Sequence, residues 1–260
     1  MGFFYFDESI RDNGGFILGA FIYSKADLTP AVFAALTAVG LQPGRDEFKS
    51  RFQVANAPEH ASLRDHLRSL LYEVKVGALV IPTAQRQHLG NEALFGLTKF
   101  IVANSLGCMS HKAFFDEGIT IDGSCLKNFR QEIPSCEINR NQDSRLVGGI
   151  QLADLVAHSM GTMLLEEQGL ISKKIKAGEH SGYLPELELP LGFKLWAMLR
   201  YSFFMSRLPI GANTNDPTES IPERLYNVEG YGLYVAPSCG VELRSAAIKR
   251  FGQSYLGCTH

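Results

Sequence analysis

An α/β fold, with a mixed sheet flanked by helices, is what this sequence predicts, and three observations predict it. Two apolar runs, Gly2 to Phe6 and Lys112 to Phe115, each end in Asp-Glu, at Asp7-Glu8 and Asp116-Glu117. Segments of helical apolar spacing alternate with β-prone runs along the first two thirds of the chain. A late stretch, GGIQLADLVAHSMGTML, has the length of a long helix and is apolar nearly all round.

The elements follow in order. Gly2 to Phe6 is aromatic and apolar throughout, as in a strand buried on both faces. After the turn formers Asp12-Asn13-Gly14-Gly15, a second strand is expected from Phe16 to Tyr23, making a hairpin. A helix is expected after Thr29, with Pro30 in its first turn, ending near Gly40; a polar loop or short strand, QPGRDEFKSRFQ, follows. Leu63, Leu67, Leu70, Leu71 and Val74 are spaced for a helix over residues 59–74, and Val76 to Ile81 reads as a strand closed by Pro82. Helix over 91–106, strand over 112–115, helix over 123–133, strand over 135–138 and helix over 149–167 complete a β-β-α-β-α-β-α-β-α order. Residues 1–168 form the expected core. Residues 169–260 form an accessory region, expected to be mostly helical, with a helix over 194–205 carrying Trp196, Tyr201, Phe203 and Phe204 and a polar turn over 211–222.

Bulk properties narrow the function classes. With 260 residues, 45% of them hydrophobic and 20% charged, the chain is long enough for a sizeable core. Its apolar runs stop well short of the roughly 20 residues that span a bilayer, and no membrane association is expected. MGFFYFDES has neither a basic region nor a small-residue cleavage site, so a cytoplasmic location is expected. Cys108, Cys125, Cys136, Cys239 and Cys258 are far apart, with no zinc-finger spacing, and are read as free thiols. A formal net charge of -2 supplies no global basic field, so nucleic-acid binding has to rely on a local patch.

In an open α/β sheet, ligands collect beyond the carboxyl ends of the strands. Asp7 and Asp116 belong there, and if their strands are neighbours the two carboxylates repel unless a divalent cation lies between them. Hard oxygen ligands suit Mg²⁺ or Mn²⁺, and paired ions of this kind clamp the oxygens of phosphoryl transfer. The competing reading is that both acids cap turns after buried strands. On the long helix, Gln151, Asp154 and His158 form one polar stripe, spaced i, i+3 and i+7. A carboxylate on so apolar a helix needs a salt bridge, protonation or a metal. His158 is read either as a satisfied core histidine or as a substrate contact, with Gln151 beside it.

A strand ending in FDES, a distant strand ending in FFDEG and a helix reading IQLADLVA together resemble the family called domain of unknown function thirty-eight hundred, which is regarded as ribonuclease H-like. The resemblance covers most of residues 1–165. It implies that Asp7, Asp116 and Asp154 are metal-binding acids of a two-metal nuclease. Glu47-Phe48-Lys49 is similar to an acid and a lysine two apart in that family, implying Glu47 as a further ligand and Lys49 as a phosphate holder. Ile10 departs from the family's glycine. Lys49, Arg51, Arg140 and Arg145 are candidate backbone contacts.

The implied activity is cleavage of RNA or DNA, in the context of antiphage defence, with a homo-oligomer or a defence-system protein as further partner. Two alternatives stand beside it: a catalytically silent interaction module, and another Asp- and Mg²⁺-dependent phosphoryl-transfer enzyme. Against the second, no GxxxxGK[ST] loop occurs, and Asp7-Glu8-Ser9 lacks the second Asp two residues on that dehalogenase-like phosphatases use.

Overall fold

The computed structural model of the protein describes residues 1–50, 58–179, 181–211 and 224–257. The chain runs through β1 (Gly2–Arg11), β2 (Phe16–Ser24), α1 (Thr29–Ala38), α2 (Pro58–Leu70), β3 (Lys75–Pro82), α3 (Leu89–Ala103), β4 (His111–Asp116), α4 (Gly123–Glu132), β5 (Cys136–Gln142) and α5 (Gly149–Glu167). Beyond these come β6 (Lys174–Lys176), β7 (Glu188–Pro190), α6 (Leu191–Leu199), β8 (Leu225–Asn227), β9 (Leu233–Val235), α7 (Val241–Phe251) and β10 (Gln253–Tyr255). Among the described residues, no helix is long and apolar enough to cross a membrane.

One six-stranded sheet, in the order β5-β4-β1-β2-β3-β9, organises the molecule. β1, β2 and β3 pair antiparallel in succession, whereas β4 pairs parallel with β1 and β5 parallel with β4. This is a mixed sheet flanked by helices. β2 is buried along its whole length because β1 and β3 cover its edges and helices cover its faces. The hairpin between β1 and β2 turns through Asp12–Gly14, with Gly15 at φ 68, a left-handed backbone that glycine adopts at no steric cost. Phe6 packs on Phe21 and Phe115, with ring centroids 4.5 and 5.3 Å away, tying three neighbouring strands through one aromatic cluster.

α5 lies across β1 and β2, and the apolar face expected of it, from Ile150 through Ala153, Ala157, Met160 and Gly161 to Leu164, is buried. It approaches closely because Gly149 has no side chain. A Cβ there would stand 2.5 Å from the ring of Tyr5. That ring cannot swing away, since its hydroxyl donates to Asp27 at 2.8 Å and accepts from the Leu28 amide at 3.0 Å.

Several expected boundaries move. β1 does not stop at Phe6 but runs to Arg11, because antiparallel pairing with β2 continues to Arg11–Phe16 after parallel pairing with β4 ends at Phe6–Phe115. β5 extends past Ile138 to Gln142. The accessory helix spans Leu191–Leu199 rather than 194–205; Phe203 and Phe204 follow it as buried core residues, and Phe203 bridges Val76 on β3. The region after residue 168 is less helical than expected and sends β9 into the main sheet beside β3. Most of the expected polar turn over 211–222, together with Cys258, lies outside the described residues.

Glycine-to-alanine changes inside a helix ordinarily stabilise by up to about 1 kcal/mol. Gly149→Ala is predicted to do the opposite, lowering the free energy of unfolding by about 1–3 kcal/mol through overpacking against Tyr5; chemical denaturation measures it.

Candidate metal centre

The centre is assembled from β1, β4, α5 and the segment that precedes α2. Pairing of Phe6 with Phe115 leaves Asp7 and Asp116 as the next residues on two parallel neighbours, where the β1–β4 ladder ends while Asp7 stays paired with Ala20 of β2. Opposite Asp116 the register of β4 and β5 shifts by one residue, and Asn141 there takes a left-handed φ of 52. Such bulges bend a strand and re-aim the side chains beside it. Asp154 comes from the face of α5 that lies on β1.

Asp116 and Asp154 lie within electrostatic reach of Asp7. Asp7 is only 7% exposed. Burial pushes its carboxyl well above the ordinary carboxylate range, and the charges of Asp116, Asp154 and Glu8 push it further. Asp116 is raised first by burial and then by Glu117 and Glu47, with Lys49 opposing. Asp154 is raised by burial, against the hydrogen bonds it receives from Ser50. Among the described residues, no three His, Cys, Asp or Glu side chains already stand close enough to cage an ion. Asp116 and Asp154 act on Asp7 through space without the three forming such a cage. Their donor set is all oxygen and their excess charge is negative, which fits a hard divalent ion such as Mg²⁺ or Mn²⁺.

Glu47 and Lys49, the pair that the family resemblance implies, lie within electrostatic reach of Asp116. Phe48 is buried in the core, 1% exposed, and its neighbours turn the other way. Lys49 pairs with Glu47 at 3.2 Å and donates to Ser144 Oγ at 3.4 Å. The Ser144 hydroxyl in turn donates to Glu47. Burial pulls the Lys49 ammonium down, but Glu47, Asp116 and Asp7 together leave it raised, so it stays charged beside two of the acids.

Gln151 is placed differently from its expected role. Its side chain is 1% exposed, accepts from the Phe48 amide at 2.7 Å and donates to the Ser144 carbonyl at 2.8 Å. Both ends of the amide are thus committed to holding the Glu47–Lys49 segment and the Ser144 loop on α5. Gln151 positions the site and has nothing left for a substrate. His158 lies one helical turn past Asp154. Burial, followed by the charges of Arg11 and Arg64, pulls its imidazole down to about 4, so it is neutral at physiological pH.

Of the other candidate cations, Arg145 is an exposed residue paired with Asp143 at 2.7 Å, Arg140 is exposed, and Arg51 lies outside the described residues.

Three contributors escaped sequence reasoning. Ser50 donates to both oxygens of Asp154, from its amide at 2.7 Å and its hydroxyl at 2.6 Å, and fixes that carboxylate's orientation. Ser144 braces Glu47 from a loop with no motif to announce it. Glu8, next to Asp7 on an extended chain and so directed to the opposite side, lines a cavity of about 470 Å³ with Arg86 and Thr120. Yet burial and then Asp116 raise its carboxyl too, so it remains within electrostatic reach of the centre.

No protein-family model matches the chain, and no curated protein matches it. Among solved structures, it aligns with a chain in the structure of the PCNA:RNase HII complex from Archaeoglobus fulgidus, at 12% identity, over 72% of this chain and 84% of that one, with a TM-score of 0.38. A likeness that faint bears on neither substrate nor partner.

Because Asp7 is raised, the native metal-free protein keeps a proton that the unfolded chain loses once pH passes the ordinary carboxylate value. Stability from this source is therefore full at low pH and falls as pH rises through the folded-state value. Asp7→Asn keeps the acceptor for the Glu8 amide, 2.7 Å away, and removes the charge. The variant is predicted to be more stable than wild type without metal, by roughly 1 kcal/mol or more near neutral pH. The gap should grow as pH rises above the ordinary carboxylate value of about 4, measured by thermal melts with chelator. The opposite pH trend from His158 is common to both proteins and cancels in the difference.

Proposed function

We propose that the chain is a metal-dependent nuclease that cleaves phosphodiester bonds in RNA or DNA, and that it belongs with the proteins grouped as domain of unknown function thirty-eight hundred. The observation that supports the activity is the placement of Asp7 and Asp116 side by side on two parallel strands, with Asp154 on the helix packed on β1, so that Asp116 and Asp154 both act on Asp7. The FDES, FFDEG and IQLADLVA segments support the grouping, and a role in antiphage defence rests on that resemblance.

Asp7, Asp116 and Asp154, with Glu47 beside them, would hold the ions. Bound there, Mg²⁺ or Mn²⁺ supplies a nucleophilic hydroxide at neutral pH and charge stabilisation for the leaving oxygen. The chain's own residues do the rest. Ser50 locks the orientation of Asp154, so that one ligand is preorganised before any ion arrives. Gln151 fixes the backbone at Phe48 and thereby aims Glu47 and Lys49 together. Lys49, charged and anchored at its ammonium by Glu47 and Ser144, offers a point charge to a phosphate oxygen next to Asp116 and Asp7. His158 stays neutral and contributes only hydrogen bonding. No side chain here needs to act as a covalent nucleophile.

Purified protein incubated with labelled single-stranded and duplex RNA and DNA is expected to cut at least one of them with Mg²⁺ or Mn²⁺ and none with chelator. Asp116→Asn is expected to lower the rate by more than ~100-fold, beyond the loss typical of merely supporting residues at metal sites. Failure to cut any of the substrates, together with no calorimetric heat for either ion, would make the acids structural and favour the silent interaction module.

A further inference from the structure

Beside Asp154, α5 carries a second charged feature that the proposed metal chemistry does not use. Arg11, the last residue of β1, folds its guanidinium back over α5, where Nη2 donates to the His158 carbonyl at 2.8 Å and reaches the Thr162 hydroxyl at 3.4 Å. The helix makes room for it. A Cβ on Gly161 would stand 2.7 Å from Arg11 Nε, so only glycine lets the guanidinium lie down there. From the other side α2 brings Arg64, whose guanidinium stands 5.8 Å from the Phe48 ring centroid.

The charge balance of this corner is unusual. Among the described residues neither arginine forms an ion pair, and Arg64 has no hydrogen bond. Arg11 spends only Nη2, and its Nε is buried without a partner. Asp154 acts on both guanidinium groups through space but is already committed to Ser50, and Asp65, which also acts on Arg64, is paired with Arg68. Both arginines are partly buried, where an uncompensated positive charge is expensive, and both act on His158, which stays neutral between them. Two planar, fork-shaped donors aimed at one corner without an anion are what bidentate phosphate recognition uses.

We propose that Arg11 and Arg64, with His158 between them, form a seat for a nucleic-acid backbone phosphate, one helical turn along α5 from Asp154, next to the phosphate that the acidic centre handles. The seat rests on the nuclease reading for its purpose but not for its test. It gives a chain with no global basic field the local patch that strand binding requires. It also sets direction, since a strand must run from Lys49 and the acids toward the end of β1.

The test is binding without cleavage: fluorescence anisotropy of labelled single-stranded DNA and RNA of about a dozen nucleotides, with chelator present, across a KCl series. Arg64→Gln is expected to weaken binding roughly tenfold and to reduce the slope of log affinity against log salt by about 0.7, the share of one phosphate contact on a single strand. Arg64→Lys should recover the salt slope but only part of the affinity, because a point charge replaces a fork. Lys249→Gln, at an exposed position paired with Glu167 and away from the acids, should change neither. Arg11→Gln should behave as Arg64→Gln does; its contact with α5 makes folding a concern, so Arg64, which supports no backbone group, decides the matter. Unchanged affinity and slope in a folded Arg64→Gln protein would overturn the seat, as would absence of oligonucleotide binding by wild type. The two readings separate cleanly. Loss of binding in Arg64→Gln with no metal-dependent cutting by wild type keeps the seat and removes the nuclease; normal cutting with unchanged Arg64→Gln binding does the reverse.

Discussion

Three carboxylates gathered where water reaches poorly repel one another, and the rest of the structure is arranged so that they cannot move apart. Asp7 is held by a strand paired on both edges, Asp116 by the parallel neighbour of that strand, and Asp154 by a helix seated on Tyr5 through a glycine. Each scaffold contact, if relaxed, would lower the electrostatic cost. Hydrophobic burial in the sheet and under α5 outweighs this repulsion, which a proton on Asp7 or a bound cation would relieve.

Around the acids, the positive groups are apportioned rather than pooled. Lys49 faces Asp116 and Asp7 and is braced by Glu47 and Ser144. Arg11 and Arg64 lie within electrostatic reach of Asp154 and form no ion pair among the described residues. Gln151 ties these halves together by fixing the Glu47–Lys49 segment to the same helix that carries Asp154 and His158. A strand laid across the site therefore meets cation, acid cluster and cation in turn, with the repulsive element in the middle awaiting a metal.

Much of this was legible in the sequence, and the physical reason differs by element. Asp7 and Asp116 could be found because each ends an apolar run, which gives both the burial and the end of the sheet. Asp154 stood out because a carboxylate on a helix apolar nearly all round has no ordinary explanation. Gln151 was noticed for its polarity but not for its role, since periodicity reports which face a residue occupies and not what meets it there. Ser50, Ser144, Arg11 and Arg64 carried no signal. A serine in a polar loop and an arginine at a strand end or on an amphipathic helix look like solvated surface until tertiary contacts bring them to Asp154. The accessory helix was placed late because Phe203 and Phe204 continue its apolar pattern, while in space they leave the helix to pack against β3 and the core aromatics. β9 was missed because three residues carry too little periodicity to read.

The claim on which everything turns is that Asp7, Asp116 and Asp154 share divalent ions, and anomalous diffraction from crystals of the protein soaked in Mn²⁺ tests it most directly. Manganese peaks between these three side chains, lost in the Asp7→Asn protein, are the predicted result. A well-ordered structure in which the three carboxylates stay apart and the manganese sits elsewhere, or nowhere, would contradict it.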